Sequence, residues 1–142
     1  MRYSPRTVAS VLDSLGGIAT RAELQAQGLR HDAITMAFHY GRVLRVRRGL
    51  YARLDTAPDV LAALRLRGRL ACVSALRYWG EEAPDEGVLH IAVAASASRL
   101  EAGSGVVVHW SRRPERGSRG CVDLEVARRQ AASCRALSRA PG

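Results

Sequence analysis

Five arginines, Arg42, Arg45, Arg47, Arg48 and Arg53, fall within twelve residues that contain no acid. Guanidinium groups at that density suit a polyanion. Each one that neutralises a phosphate releases condensed counterion, so a handful of contacts gives useful affinity and a steep salt dependence. Val43-Leu44-Arg45-Val46-Arg47 alternates apolar with basic residues, Arg48-Gly49 reads as a turn, and Leu50-Tyr51-Ala52 is a second short strand. The arginines are therefore expected on a β-hairpin able to straddle a phosphate backbone. The plain alternative is a solvated basic strand, because all 22 basic residues are Arg, with no Lys and no Asn, a usage that a GC-rich genome also produces. Distribution discriminates better than total. The 142 residues carry a formal charge of +9 and the pI is about 10.9. Residues 1–53 hold nine Arg against Asp13, Glu23 and Asp32, a net of +6, whereas the remainder holds only +3.

Residues able to do covalent or metal chemistry are sparser. Cys72, Cys121 and Cys134 are odd in number and widely spaced, with no CxxC pair and no His at metal-ligand spacing from another ligand, which argues against a disulfide framework and against a zinc site. Cys72, within Leu70-Ala71-Cys72-Val73, reads as a small buried hydrophobe. Ser74 with His90 or His109 supplies nucleophile and base types, but nothing in the spacing fixes their geometry. Asp85-Glu86-Gly87 reads as a turn near His90, and the chain has no Gly-rich phosphate loop, HExxH or nucleophile elbow. No catalytic residue, metal or cofactor is expected.

The elements that must position the arginines are legible upstream. Ser4 as N-cap and Pro5 at the first helical position begin a helix running to Leu15, with Val8, Val11, Leu12 and Leu15 on one stripe and Gly16-Gly17 ending it. Thr20-Arg21-Ala22-Glu23 is a capping-box pattern that starts a short second helix, to about Gln27, before the turn residue Gly28. In a third helix, Arg30 to Tyr40, Ala33, Ile34, Ala37 and Phe38 face the first two, leaving His31, Asp32, Thr35, Met36 and His39 to solvent. Tyr40 and Tyr51 read as core or hairpin anchors. Helix, helix, turn, helix and two-stranded wing within about 50 residues make a winged helix-turn-helix. Its recognition helix would offer Thr35, Met36 and His39 to base edges and Arg30 and His31 to phosphates, with Arg42, Arg45, Arg47 and Arg48 on the backbone or minor groove.

After Thr56-Ala57-Pro58 the pattern restarts. Val60, Leu61 and Leu64 mark a helix up to Gly68, Ala71–Trp79 another, Val88–Val93 and Val106–Trp110 two strands expected to pair antiparallel across a loop from Ala94 to Gly105, and Asp123 to about Leu137 a last helix. Trp79 and Trp110 are expected to anchor this core. The expected organisation is α+β: residues 1–56 a winged helix-turn-helix, 57–137 a small α/β unit with a short antiparallel sheet, and 138–142 a frayed tail. Apolar runs as short as Val106 to Val108 fall far below the ~20 residues needed to cross a bilayer, and no apolar signal segment follows the N-terminus, so a cytoplasmic protein away from membranes is expected.

Gly16-Gly17-Ile18-Ala19-Thr20-Arg21-Ala22-Glu23-Leu24, Gly28-Leu29, Gly41-Arg42-Val43 and Arg45-Val46-Arg47-Arg48-Gly49-Leu50-Tyr51-Ala52 together resemble the N-terminal winged-helix domain of AbiEi-type antitoxins. The resemblance covers about the first 53 residues; beyond residue 60 it extends only in outline, through Ser74-Ala75-Leu76, Trp79-Gly80 and the two β runs. It implies a repressor that binds double-stranded operator DNA of its own toxin–antitoxin operon, with a second domain that neutralises a cognate toxin or adds DNA contacts, and two copies acting on a repeated operator. Related chains often carry several Arg on the recognition helix, where this one has Thr35, Met36, His39 and Tyr40. Many also continue into a nuclease-like domain; this one ends at Gly142, and no nuclease activity is expected of it. A second reading of the charge is a protein-interaction module whose basic face docks an acidic partner such as a toxin, without specific DNA binding.

Overall fold

The computed structural model describes residues 6–84, 87–94, 103–111 and 119–135. It is a mixed α+β chain in two compact units divided between Ala57 and Pro58, one residue beyond the expected boundary, with one three-stranded sheet in each.

The first unit runs α1 (Val8–Ser14), β1 (Ile18–Thr20), α2 (Arg21–Ala26), α3 (His31–His39), β2 (Leu44–Arg47) and β3 (Leu50–Ala52). Thr7 caps α1, its hydroxyl accepting the Ser10 amide at 3.0 Å, so the helix starts later than expected; Ser4 and Pro5 lie outside the described residues. Gly16 and Gly17, at φ +93° and +91°, end it: Gly17 N–H donates to Leu12 C=O and Gly16 N–H to Asp13 C=O, satisfying carbonyls the helix leaves orphaned. The capping box forms as expected, with Glu23 N–H on Thr20 Oγ1 and Thr20 N–H on Glu23 Oε1. Its flanking residues do more than the sequence suggested. Ile18–Thr20 is a strand, and the sheet order is β1-β3-β2, antiparallel throughout, so the hairpin is joined to the helices through β3. Val8, Val11, Leu12, Ala19, Leu24, Ile34, Val43 and Tyr51 form the core, with Ala33, Ala37 and Phe38 of α3 packed on it as the helical period requires.

The second unit runs α4 (Pro58–Arg65), β4 (Arg69–Leu70), α5 (Cys72–Tyr78), β5 (Leu89–Ala94), β6 (Val106–Ser111) and α6 (Leu124–Ser133). The helices fall where the apolar spacing puts them, except that α6 stops at Ser133; Leu137 and the tail lie outside the described residues. The strands correct the expectation. β5 and β6 pair in parallel, Leu89 opposite Val106 through Ala94 opposite Ser111, and only the two-residue β4 is antiparallel to β5. Eleven residues separate β5 from β6, close to the dozen a parallel crossover needs and far more than a tight hairpin uses. Gly68 lets β4 start against β5, since a Cβ there would meet Ala92 C=O at 2.7 Å. Val60, Ala63, Leu64, Leu70, Ile91, Val93, Val122 and Ala127 are buried in this unit. Neither tryptophan joins them: Trp79 is 43% exposed, tethered by its ring N–H to Val122 C=O at 2.9 Å, and Trp110, which follows the inward-facing His109, is 57% exposed. Among the described residues, no helix is long and apolar enough to cross a membrane.

Candidate nucleic-acid interface

Three contacts fix the hairpin against the helices of the first unit. The first amide of α2, Arg21 N–H, donates to Gly49 C=O in the hairpin turn at 2.9 Å. The Arg21 guanidinium donates through Nη1 to His31 Nδ1 at 2.9 Å and to His31 C=O at 3.1 Å, and through Nη2 to the Tyr51 hydroxyl; it also stacks 5.3 Å from the Tyr51 ring centroid. Arg45 of β2 sits with its guanidinium 5.9 Å from the Phe38 ring of α3. One buried tyrosine, one half-buried arginine and one stacked pair thus tie β2, β3 and both ends of α3 into one surface.

A register shift in β2 shapes that surface. Arg45 opposes Tyr51 and Arg47 opposes Leu50, so Val46 is the extra residue of a bulge and turns into the core. Arg45 and the turn residue Arg48 are exposed and Arg47 is half-buried. Arg42 is exposed just past α3, its backbone anchored by Arg42 N–H donating to Ala37 C=O at 2.9 Å. Arg53 departs from the group. Its guanidinium turns back to Asp13 and Asp55, 3.1 Å from each.

The acids reinforce the asymmetry. Asp13 and Asp55 are held by Arg53, Glu23 closes the capping box, and Asp32 lies 3.5 Å from Arg30. Arg30 is correspondingly part-neutralised in an exposed pair.

On α3, His31, Met36 and His39 are exposed and Thr35 is half-exposed. Because Arg21 can only donate, His31 Nδ1 is the acceptor of that bond, which fixes the orientation of the ring. Thr35 Oγ1 donates back to His31 C=O at 3.1 Å, leaving its methyl and lone pairs for a partner. Met36, 48% exposed, presents apolar surface rather than packing. Tyr51 is the anchor the sequence suggested, at 1% exposed, but Tyr40 is not: as the residue that ends α3 it leaves the helical face and stands 69% exposed. Sequence reasoning missed Arg21, whose role depends on contacts with residues 10 and 30 positions away.

In the second unit, Ser74 Oγ accepts the backbone N–H of His90 at 3.0 Å, so it braces the strand rather than meeting the imidazole as a nucleophile would. Asp85 and Glu86 lie outside the described residues. His90 and His109 meet instead, Nδ1 to Nε2 at 3.1 Å, and Cys134 Sγ lies 3.9 and 3.8 Å from those two nitrogens. Burial, with His109 and Arg77 adding to it, pushes His90 down to about 4, and burial lowers His109 as well. The wide chain spacing that argued against such a cluster is closed by the fold. Compared with protein-family models and with curated proteins, the chain matches none.

Proposed function

We propose that this protein is a DNA-binding transcriptional regulator whose first unit acts as a winged helix-turn-helix on double-stranded DNA. In this reading α3 enters the major groove, Thr35, Met36 and His39 meet base edges and thymine methyls, and Arg30 and His31 approach phosphates at the helix start. Arg42, Arg45, Arg47 and Arg48 take the flanking backbone or the minor groove. The observation that carries the reading is the acid-free arginine hairpin braced to α3 through the Arg45–Phe38 stack and through Arg21, which joins Tyr51 to His31. A merely solvated strand has no need of that bracing.

The resemblance to AbiEi-type antitoxins extends the proposal to autorepression of a toxin–antitoxin operon, two copies on a repeated operator, residence in the cytoplasm, and no catalytic step. One unit of this size buries little DNA surface, which favours paired binding. A mobility-shift assay on the DNA upstream of the protein's own gene tests it. Replacing Arg47 and Arg48 together by Ala is expected to abolish the shift. An unchanged shift, with binding to an acidic partner protein lost, assigns the basic face to protein interaction instead.

A further inference from the structure

Four groups with the chemistry of metal ligands converge in the second unit. Cys72 opens α5, His90 and His109 stand on neighbouring parallel strands, and Cys134 follows α6; their ligand atoms all lie within 4.8 Å of one another. The register explains the pair of histidines. His90 is opposite Val107, and His109, two residues further along β6, projects from the same face. The groups are shielded: Cys72 is 0%, His90 2% and Cys134 9% exposed.

The geometry points to a closed tetrahedral site for a zinc-type divalent ion, bound by the Cys72 and Cys134 thiolates, His90 Nδ1 and His109 Nε2. Zinc–sulfur and zinc–nitrogen bonds of about 2.3 and 2.0 Å set tetrahedral edges of about 3.3–3.8 Å. The observed nitrogen–nitrogen distance of 3.1 Å and sulfur–nitrogen distances of 3.8 and 3.9 Å lie within about 0.4 Å of those edges, and a small rotation of a thiol closes the wider ones. Two soft sulfurs and two imidazoles in this arrangement select zinc over oxygen-seeking calcium or magnesium. Four protein ligands leave no position for water or substrate, so the ion is structural, clamping α5, β5, β6 and the end of α6.

Two further features support the assignment. Cys72 is held at φ +53°, a left-handed conformation that non-glycine residues seldom adopt, and its amide is fixed by the Gln130 side chain of α6 at 2.9 Å. The strain keeps a side chain at this position that glycine would relieve. The site stands whether or not the first unit binds DNA.

The test uses the full chain purified without chelator. Elemental analysis is expected to give one zinc per chain, and cobalt in its place to show intense tetrahedral ligand-field bands with thiolate charge transfer. Cys134→Ala and His109→Gln should each weaken zinc affinity by more than about a hundredfold, beyond the loss of an outer hydrogen-bond partner, while Cys121→Ala, a buried thiol outside the cluster, keeps the cobalt spectrum. Should a ligand variant fail to fold, X-ray absorption on the wild-type chain still decides, with two sulfurs at about 2.3 Å and two nitrogens at about 2.0 Å expected. A chain that takes up neither metal, a Cys72–Cys134 disulfide, or a shell without sulfur overturns the site.

Discussion

The two units carry their chemistry in opposite ways. In the first, charge is local and outward: Arg42, Arg45, Arg47 and Arg48 lie within seven residues, on a hairpin and a helix end, in a stretch that contains no acid. In the second, the reactive groups are distant and inward, with Cys72 and Cys134 at opposite ends of the unit's sequence and His90 buried between them. Exposed charge can be removed with little effect on the fold, because an arginine in water has few contacts to lose. Buried donors cannot, since each is surrounded by groups arranged around it. Function and stability should therefore separate in the first unit and coincide in the second.

The largest effect expected from that contrast is on metal removal. Stripping the ion with a strong chelator should cost several kcal/mol of stability, a share of the ~10–16 kcal/mol that structural zinc sites supply. Hydrogen exchange should rise in peptides from β5, β6 and α6 and stay constant in those from α1 to α3. Equal loosening of both units would break the contrast.

Arg21 sharpens it, as the residue of the first unit where stability and binding meet. Arg21→Ala removes the bonds to Tyr51 and His31 and leaves a buried hydroxyl without its donor, at a cost of about 1–3 kcal/mol in denaturant unfolding. Duplex affinity should fall too, because His31 loses the contact that orients its ring. Stability unchanged with affinity lost would make Arg21 a direct DNA contact rather than a brace. Smaller still is Thr20→Ala, which opens the capping box and should cost about 1 kcal/mol by the same measurement, with the salt dependence of binding unaltered.

What the sequence made legible follows the same division. The capping box, the buried face of α3 and the hairpin rest on bonds and periodicities within a few residues, and they form as the spacing predicts. Features set by partners far along the chain do not announce themselves. β1 is three residues long and exists because β3 lies beside it. The parallel pairing of β5 with β6, the Asp13 ion pair that draws Arg53 back, and the outward turn of Trp110 each depend on tertiary neighbours. The Cys–His cluster is the extreme case, for its ligands come from four elements and match no short spacing motif. One signal was present: His90 and His109 each interrupt an apolar strand, and a polar residue buried in such a run needs a partner.

The most direct test of the central claim is the salt dependence of duplex binding, measured by fluorescence anisotropy on the full chain and on a variant with Arg45, Arg47 and Arg48 all replaced by Ala. With each phosphate contact contributing about 0.9 to the slope of log affinity against log salt concentration, the variant's slope should be shallower by about 2–3, with unfolding stability lowered by no more than about 1–2 kcal/mol as Arg45 gives up its stack on Phe38. Identical slopes in the two proteins would contradict the account.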